Sequence, residues 1–377
     1  MLVRTSVLVV GAYGVGNLGD DALLVSVLKV IRQVVGDNEI CVLILRPGPY
    51  LGQWYPDIRF IPLQSGHRIC GKVLIYGGGT QFYSFRDSTP TKAGRILRAS
   101  RYLVHPLKLW RRLHNCTFDF EHAIGVSIGI GPLVPGSFGQ KQADRKLKSC
   151  DWISVRDTVS TQYCRNLGID NVQQYSDLCF ARRLWDEAPT REPRTGKMRR
   201  VGVVVRDWPH TRVGQSYFGK VKEAVRKLRR EEIEIRYISF APQADPQTLS
   251  DLNSSAENIL QWDPSQQTLR TFIEELASFD LLISARAHGV IMGTALGNPS
   301  IAIEVEPKLR LICDKLTSGT RIWSPPFDPD ELAETVMSMR DNWQEHCYCV
   351  FSEGAVCASE AITSTEALKT YLKQVLH

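Results

Sequence analysis

The sequence predicts an α/β protein made of two doubly wound domains facing a cleft, and three observations predict it. Short apolar runs at 6–10, 73–76, 123–128, 201–205 and 281–283 read as buried strands, most of them followed by helical periodicity. This alternation occurs twice, with a break at 182–200 where Pro189, Pro193, Gly196 and clustered basic residues interrupt it. Glycine and polar residues also gather where strands hand over to helices, the usual ligand crevice of an open parallel sheet. The expected division is a first domain at 1–182, a linker at 183–200 and a second domain at 201–345. A helical segment at 346–377 is expected to pack back toward the first domain.

Composition sets further bounds. A chain of 377 residues suits two domains better than one core. No apolar run approaches the roughly 20 residues of a membrane-spanning helix. The N-terminus leads straight into a strand without a signal-peptide cleavage pattern, so a cytoplasmic protein is expected. The ten cysteines are scattered, and Cys41, Cys150, Cys179 and Cys313 lie in apolar stretches, as packed reduced thiols do. A net charge of +6 suits an anionic ligand or membrane surface and does not call for nucleic acid.

The first strand runs into Gly11-Ala12-Tyr13-Gly14-Val15-Gly16-Asn17-Leu18-Gly19-Asp20-Asp21, and a helix is predicted from Asp21 to Val35. Gly14, Gly16 and Gly19 spell the dinucleotide fingerprint, and Arg46 would suit an NADP phosphate. Against that reading, three residues intervene after the strand, and Asp20 and Asp21 put negative charge where a pyrophosphate sits. The loop reads instead as backbone that a ligand approaches closely, with Asp20 as a polar contact or a helix cap. Gly77-Gly78-Gly79 after the next strand carries the same message, although a tight turn explains it nearly as well. Seven Lys or Arg and no acid lie between Lys92 and Arg112, interleaved with Leu residues and Trp110. The segment 92–114 is therefore either a surface helix on an anionic bilayer or an ordinary solvated face.

Arg156-Asp157 ends a later strand, with Asp157 read as the cap of the helix that follows. Arg286 and His288 stand at the same place in the second half, after the strand at 281–283 and before a helix at 290–296. A permanently charged planar fork beside an imidazole points to phosphate or carboxylate chemistry with a proton donor at hand. The structural alternative is an Arg paired to an acid and a satisfied His. His346, Cys347, Cys349 and Cys357 fit no strong zinc spacing and read as packed side chains, so no metal is expected.

Taken in order, these motifs resemble those of the polysaccharide pyruvyl transferase family, in particular its bacterial cell-wall type. Gly11-x-Tyr13-Gly14-x-Gly16-Asn17-x-Gly19-Asp20 looks like its opening loop. Gly77-Gly78-Gly79, Gly129-x-Gly131-Pro132, Ser154-Val155-Arg156-Asp157, Arg286-x-His288 and Pro307-Lys308 look like later landmarks. The resemblance implies two Rossmann-like domains in a GT-B-like arrangement. It also implies transfer of the pyruvyl group of phosphoenolpyruvate to a sugar of a cell-surface polysaccharide or its lipid-linked precursor, forming a ketal and releasing phosphate. His288 and Arg286 are then the catalytic residues. Arg156, Arg286, Gly14, Gly16, Asn17, Asp20, Gly78, Gly79 and Lys308 bind substrate, with phosphoenolpyruvate as co-substrate and no cofactor. Ala287 stands where the family often has Leu, Gln81-Phe82 replaces a polar-acidic pair, and Val305-Glu306 replaces Tyr-Asp. The last two changes bear on the acceptor.

In this reading Arg156 and Arg286 clamp phosphoenolpyruvate across the cleft, and His288 moves protons near neutral pH. Arg286→Ala is expected to abolish transfer with the fold intact. Two other readings stand beside it: a GT-B glycosyltransferase with a nucleotide-sugar donor, and a non-catalytic glycan-binding protein. The expected location is the cytoplasm, with possible peripheral contact at the inner face of the membrane through 92–114.

Overall fold

The computed structural model describes residues 1–46, 48–83, 115–185 and 196–377. The basic segment 92–114 and most of the expected linker lie outside the described residues. The first sheet holds β1 (Leu2–Val10), β2 (Ile40–Ile44), β3 (Arg59–Pro62), β4 (Arg68–Phe82), β5 (Thr117–Ile130), β6 (Trp152–Val155) and β7 (Val172–Gln174). Its strands are all parallel, in the order β3-β2-β1-β4-β5-β6-β7. A parallel sheet is covered on both faces, so its central strands are apolar throughout and do not alternate. All five residues of β2 and all four of β6 are buried for that reason.

The apolar runs at 73–76 and 123–128 are only the buried parts of β4 and β5. The amino-terminal halves of both strands are partly exposed and carry Arg68, Lys72, Asp119 and Glu121, which hides them from a search for apolar runs. Among the helices here, α1 (Leu18–Ile31) starts three residues before the expected Asp21. The others are α2 (Pro49–Trp54), α3 (Phe138–Lys148) and α4 (Thr158–Asn166). Asp157 caps α4, its Oδ1 accepting from the Ser160 amide at 2.7 Å.

The second sheet holds β8 (Arg200–Val205), β9 (Glu234–Ser239), β10 (Ile259–Gln261), β11 (Leu281–Ser284), β12 (Ser300–Ile303) and β13 (Thr320–Trp323). It too is parallel, in the order β10-β9-β8-β11-β12-β13. Its helices are α5 (Arg212–Arg230), α6 (Pro246–Ser254), α7 (Leu269–Leu276), α8 (Ala287–Ala295) and α9 (Pro307–Lys315). After β13 the chain is helical, in α10 (Pro329–Asp341) and α11 (Trp343–Leu376). Among the described residues no helix is long and apolar enough to cross a membrane.

Two compact units result: Met1–Val15 with Val27–Asp177 and Thr363–His377, and Gly16–Ser26 with Leu178–Ile362. The division departs from the expected boundaries at 182 and 346, and it assigns Gly16–Ser26 to the second unit. Specific bonds explain this. The Leu18 amide donates to the Phe240 carbonyl at 2.9 Å, and Trp262 Nε1 donates to Asp21 at 2.8 Å. Asp21 is 1% exposed, so it serves as a buried acceptor and not as a charge at an open helix start. At the other end, Lys72 Nζ donates to the Leu376 carbonyl at 2.8 Å and Tyr371 stacks on Trp152, which ties the last turns of α11 to the first unit.

Candidate functional site

In each sheet the strand order reverses beside the first strand of its unit, between β1 and β4 and between β8 and β11. The crevice at the carboxyl ends there is the usual ligand position. In the second sheet four successive strand ends deliver charge to it: Arg206 after β8, Asp245 after β9, Arg286 after β11 and Glu306 after β12. Arg286 donates from Nε to the Val205 carbonyl at 3.1 Å and from Nη2 to Asp245 at 2.5 Å. Asp245 is fully buried and also accepts from the Ser239 hydroxyl and the Asp207 amide, at 3.0 and 3.1 Å. Arg206 pairs with Glu306, and Lys308 Nζ reaches the same carboxylate at 3.0 Å.

Among the described residues these bonds join three cations and two carboxylates. Burial lowers the Arg206 pKa and Arg286 adds to the effect, against the pull of Glu306. Burial would raise Glu306, but Lys308 and Arg206 together outweigh it and hold the carboxyl below its ordinary range. Arg206 also lies over the Trp208 ring at 4.3 Å, and its backbone amide and carbonyl both bond the Tyr217 hydroxyl. The surplus charge is positive, which suits an anion.

Arg286 occupies the N-cap position of α8 with extended backbone, and its side chain turns away to Asp245. The Ser284 hydroxyl holds the turn by bonding both the amide and the carbonyl of Arg286. His288 follows one residue into α8 and is half-buried. Its ring lies against the backbone of Gly19: a Cβ there would come within 2.2 Å of Nδ1. Gly19 is therefore glycine to admit an imidazole. The Cys179 sulfur lies within 4.8 Å of a His288 ring nitrogen.

The first sheet is simpler. Arg156 follows β6, and its Nη1 donates to Asp177 at 2.6 Å while Nη2 donates to the Thr80 hydroxyl at 2.9 Å. The pair is 9% and 2% exposed. The guanidinium lies flat on Gly129, where a Cβ would come within 2.8 Å of Nε. Tyr13 fills the loop after β1, packs over Gly11 and Gly77 and donates its hydroxyl to the Gly77 carbonyl. Gln81 donates its amide to the Gly78 carbonyl at 2.7 Å.

Of the residues singled out in the sequence, Arg286 and Lys308 enter one network, through Asp245 and Glu306, and His288 stands two residues from Arg286. Gly16, Asn17 and Asp20 belong to the same unit, and Asn17 donates to Asp20 at 2.6 Å. Arg156, Gly14, Gly78 and Gly79 belong to the other unit. Gly14, Gly16, Gly78 and Gly79 all adopt positive φ, between 65° and 81°, which alone favours glycine. At Gly14 a Cβ would also lie 2.6 Å from the Arg46 carbonyl. Sequence reading did not single out Arg206, Asp245 or Glu306 as a group. The available signal was position: Arg206 and Glu306, like Arg156 and Arg286, come one to three residues after a buried apolar strand.

No curated protein matches the chain in sequence. Solved structures do resemble it. The S. aureus MnaA–UDP co-structure aligns with a TM-score of 0.60 at 10% identity, covering 99% of this chain and 98% of that one. A putative UDP-N-acetylglucosamine 2-epimerase from Listeria monocytogenes gives 0.58 at 11% identity, with 99% and 98% covered. Anabaena HepE in complex with UDP gives 0.55 at 11% identity, with 98% and 100% covered. At such identities the likeness shows the fold, two Rossmann-like units of the GT-B kind. The sequence matches the polysaccharide pyruvyl transferase family over residues 17–307, and the chain belongs to that family.

Proposed function

We propose that this protein transfers the pyruvyl group of phosphoenolpyruvate to two hydroxyls of a sugar in a cell-surface polysaccharide or its lipid-linked precursor. The observation that carries the reading is the net-positive network of Arg206, Arg286 and Lys308 over Asp245 and Glu306, in a chain of this family. Phosphoenolpyruvate carries a phosphate and a carboxylate on three carbons. Arg286 supplies a guanidinium for one of its anionic ends, and Lys308 takes the phosphate as it leaves. The acidic partners Asp245 and Glu306 hold Arg286 and Lys308 in place before substrate arrives, so little reorganisation accompanies binding.

The reaction adds a proton to the methylene carbon, which leaves the neighbouring carbon oxocarbenium-like. One sugar hydroxyl attacks that carbon and loses its proton. Phosphate then departs with its bonding electrons, and the second hydroxyl closes the ketal with loss of a second proton. His288 is the proton carrier, since an imidazole gives and takes protons near neutral pH. No redox change occurs, and in this reading dialysis against a chelator leaves turnover unchanged.

Incubation with phosphoenolpyruvate and a panel of lipid- and nucleotide-linked sugars tests the proposal. Mass spectrometry should find a pyruvyl ketal on one acceptor with one phosphate released per product. A second reading, a nucleotide-sugar glycosyltransferase, draws on the UDP in the HepE and MnaA structures. Calorimetry separates the two, because binding of UDP without phosphoenolpyruvate would favour the second.

A further inference from the structure

A cavity of about 300 Å³ in the second unit opens between the loop after β8 and the first turns of α5 and α6. Trp208 and Phe218, 5% and 9% exposed, line it together with exposed Gln215 and Gln247. The charges that line it are already matched. Arg206 pairs with Glu306, and Asp251 pairs with Lys222 at 2.5 Å. Asp207 accepts from the Gln247 and Thr248 amides at 2.8 and 3.0 Å. A charged ligand therefore finds little to neutralise here. Trp208 and Phe218, each with a cation over its ring, line the cavity together with amide side chains, a mixed lining that suits a small neutral hydroxylated ring. The volume is at the lower end of small-ligand sites, which start at about 300 Å³, and suits one ring more than a nucleotide.

Arg206 is common to this cavity and to the charged network. We infer that the cavity is the acceptor subsite and holds one pyranose ring of the glycan, with its hydroxyls toward the cations that bind the donor. The inference rests on the pyruvyl-transfer reading for its role, but sugar binding can be tested separately. Gly219 on α5 lines the cavity, and a Cβ there would meet nothing within 4 Å. A large side chain at 219 thus fills the opening without a clash, and replacing a helical glycine favours the helix.

The test is saturation-transfer NMR on the full chain with the methyl pyranosides of glucose, galactose and mannose, and with uridine. At least one glycoside should give a signal that falls to background in Gly219→Phe and weakens severalfold in Gln247→Ala. Phosphoenolpyruvate affinity by calorimetry should match wild type in both variants. A glycoside signal that survives Gly219→Phe, or binding of uridine alone, overturns the inference, as does the absence of any glycoside signal. Should Gly219→Phe fold poorly, Gln247→Ala carries the test, because Gln247 is an exposed side chain. Glycoside binding without phosphoenolpyruvate binding would sink the pyruvyl-transfer reading and leave the sugar site standing. The reverse pattern would sink the sugar site alone.

Discussion

The two sheets share a strand order around their switch points but treat charge differently at their carboxyl ends. The first end presents one guanidinium, Arg156, locked to Asp177 and Thr80 and laid on Gly129. The second gathers Arg206, Arg286 and Lys308 around two buried acids, with an imidazole at the head of α8. The buried Arg156–Asp177 pair holds its guanidinium by bonds to two side chains. A network with surplus positive charge can in addition attract an anion. The same topology therefore ends in a buried ion pair in one unit and in a larger charged network in the other.

The largest effect that would probe this contrast is Arg286→Ala. It leaves Asp245 buried with a lost partner, so we expect about 3–5 kcal/mol of destabilisation together with loss of transfer. This revises the expectation of an intact fold, and urea unfolding beside a phosphate-release assay measures both effects. Unaltered stability would show that the Ser239 and Asp207 bonds suffice for Asp245.

Glu306→Gln comes next, at about 1–3 kcal/mol, because Arg206 and Lys308 keep partial access to water. The folded pKa of Glu306 is depressed, so its contribution is complete above the unfolded carboxyl value and is lost as pH falls through the folded one. The stability gap between wild type and Glu306→Gln should be constant above about pH 4.3 and shrink in more acid solution. A gap that widens in acid would reverse the assigned direction.

Gly19→Ala and Gly129→Ala compare the two ends directly. Each inserts a methyl group against the His288 imidazole or the Arg156 guanidinium, at a cost of about 1–3 kcal/mol. Gly19→Ala should lower kcat more than tenfold with little change in phosphoenolpyruvate affinity. Gly129→Ala should cost stability without changing that affinity or kcat, and steady-state kinetics with calorimetry distinguishes the two outcomes. The smallest effect is expected for Asp157→Ala, which removes the cap of α4 at about 1 kcal/mol. Its phosphoenolpyruvate affinity should be unchanged, and a loss of affinity would give Asp157 a role beyond capping.

Strands that are buried on both faces were legible because they form unbroken apolar runs, as β8 and β11 do. Edge strands such as β3 and β10 were not, since a strand of three or four residues with exposed positions leaves no distinct pattern. Arg156, Arg286 and His288 could be found because each lies one to four residues past such a run. Asp245 could not, because an acid six residues beyond its strand looks like any other loop residue. Beside Gly77, Gly129 and Gly19 the space is taken by Tyr13, Arg156 and His288, a packing that the spacing of the glycines does not reveal.

By itself the sequence determined that two parallel α/β units form and which strand ends carry cations. Local apolar periodicity and chain punctuation act over a few residues and can be read directly. Only the tertiary structure decided which acid each arginine meets and why Gly19 must lack a side chain. It also decided that Asp21 is a buried acceptor for Trp262, 241 residues away in sequence. Those pairings depend on how strands and helices pack in three dimensions, and no local pattern in the chain encodes them.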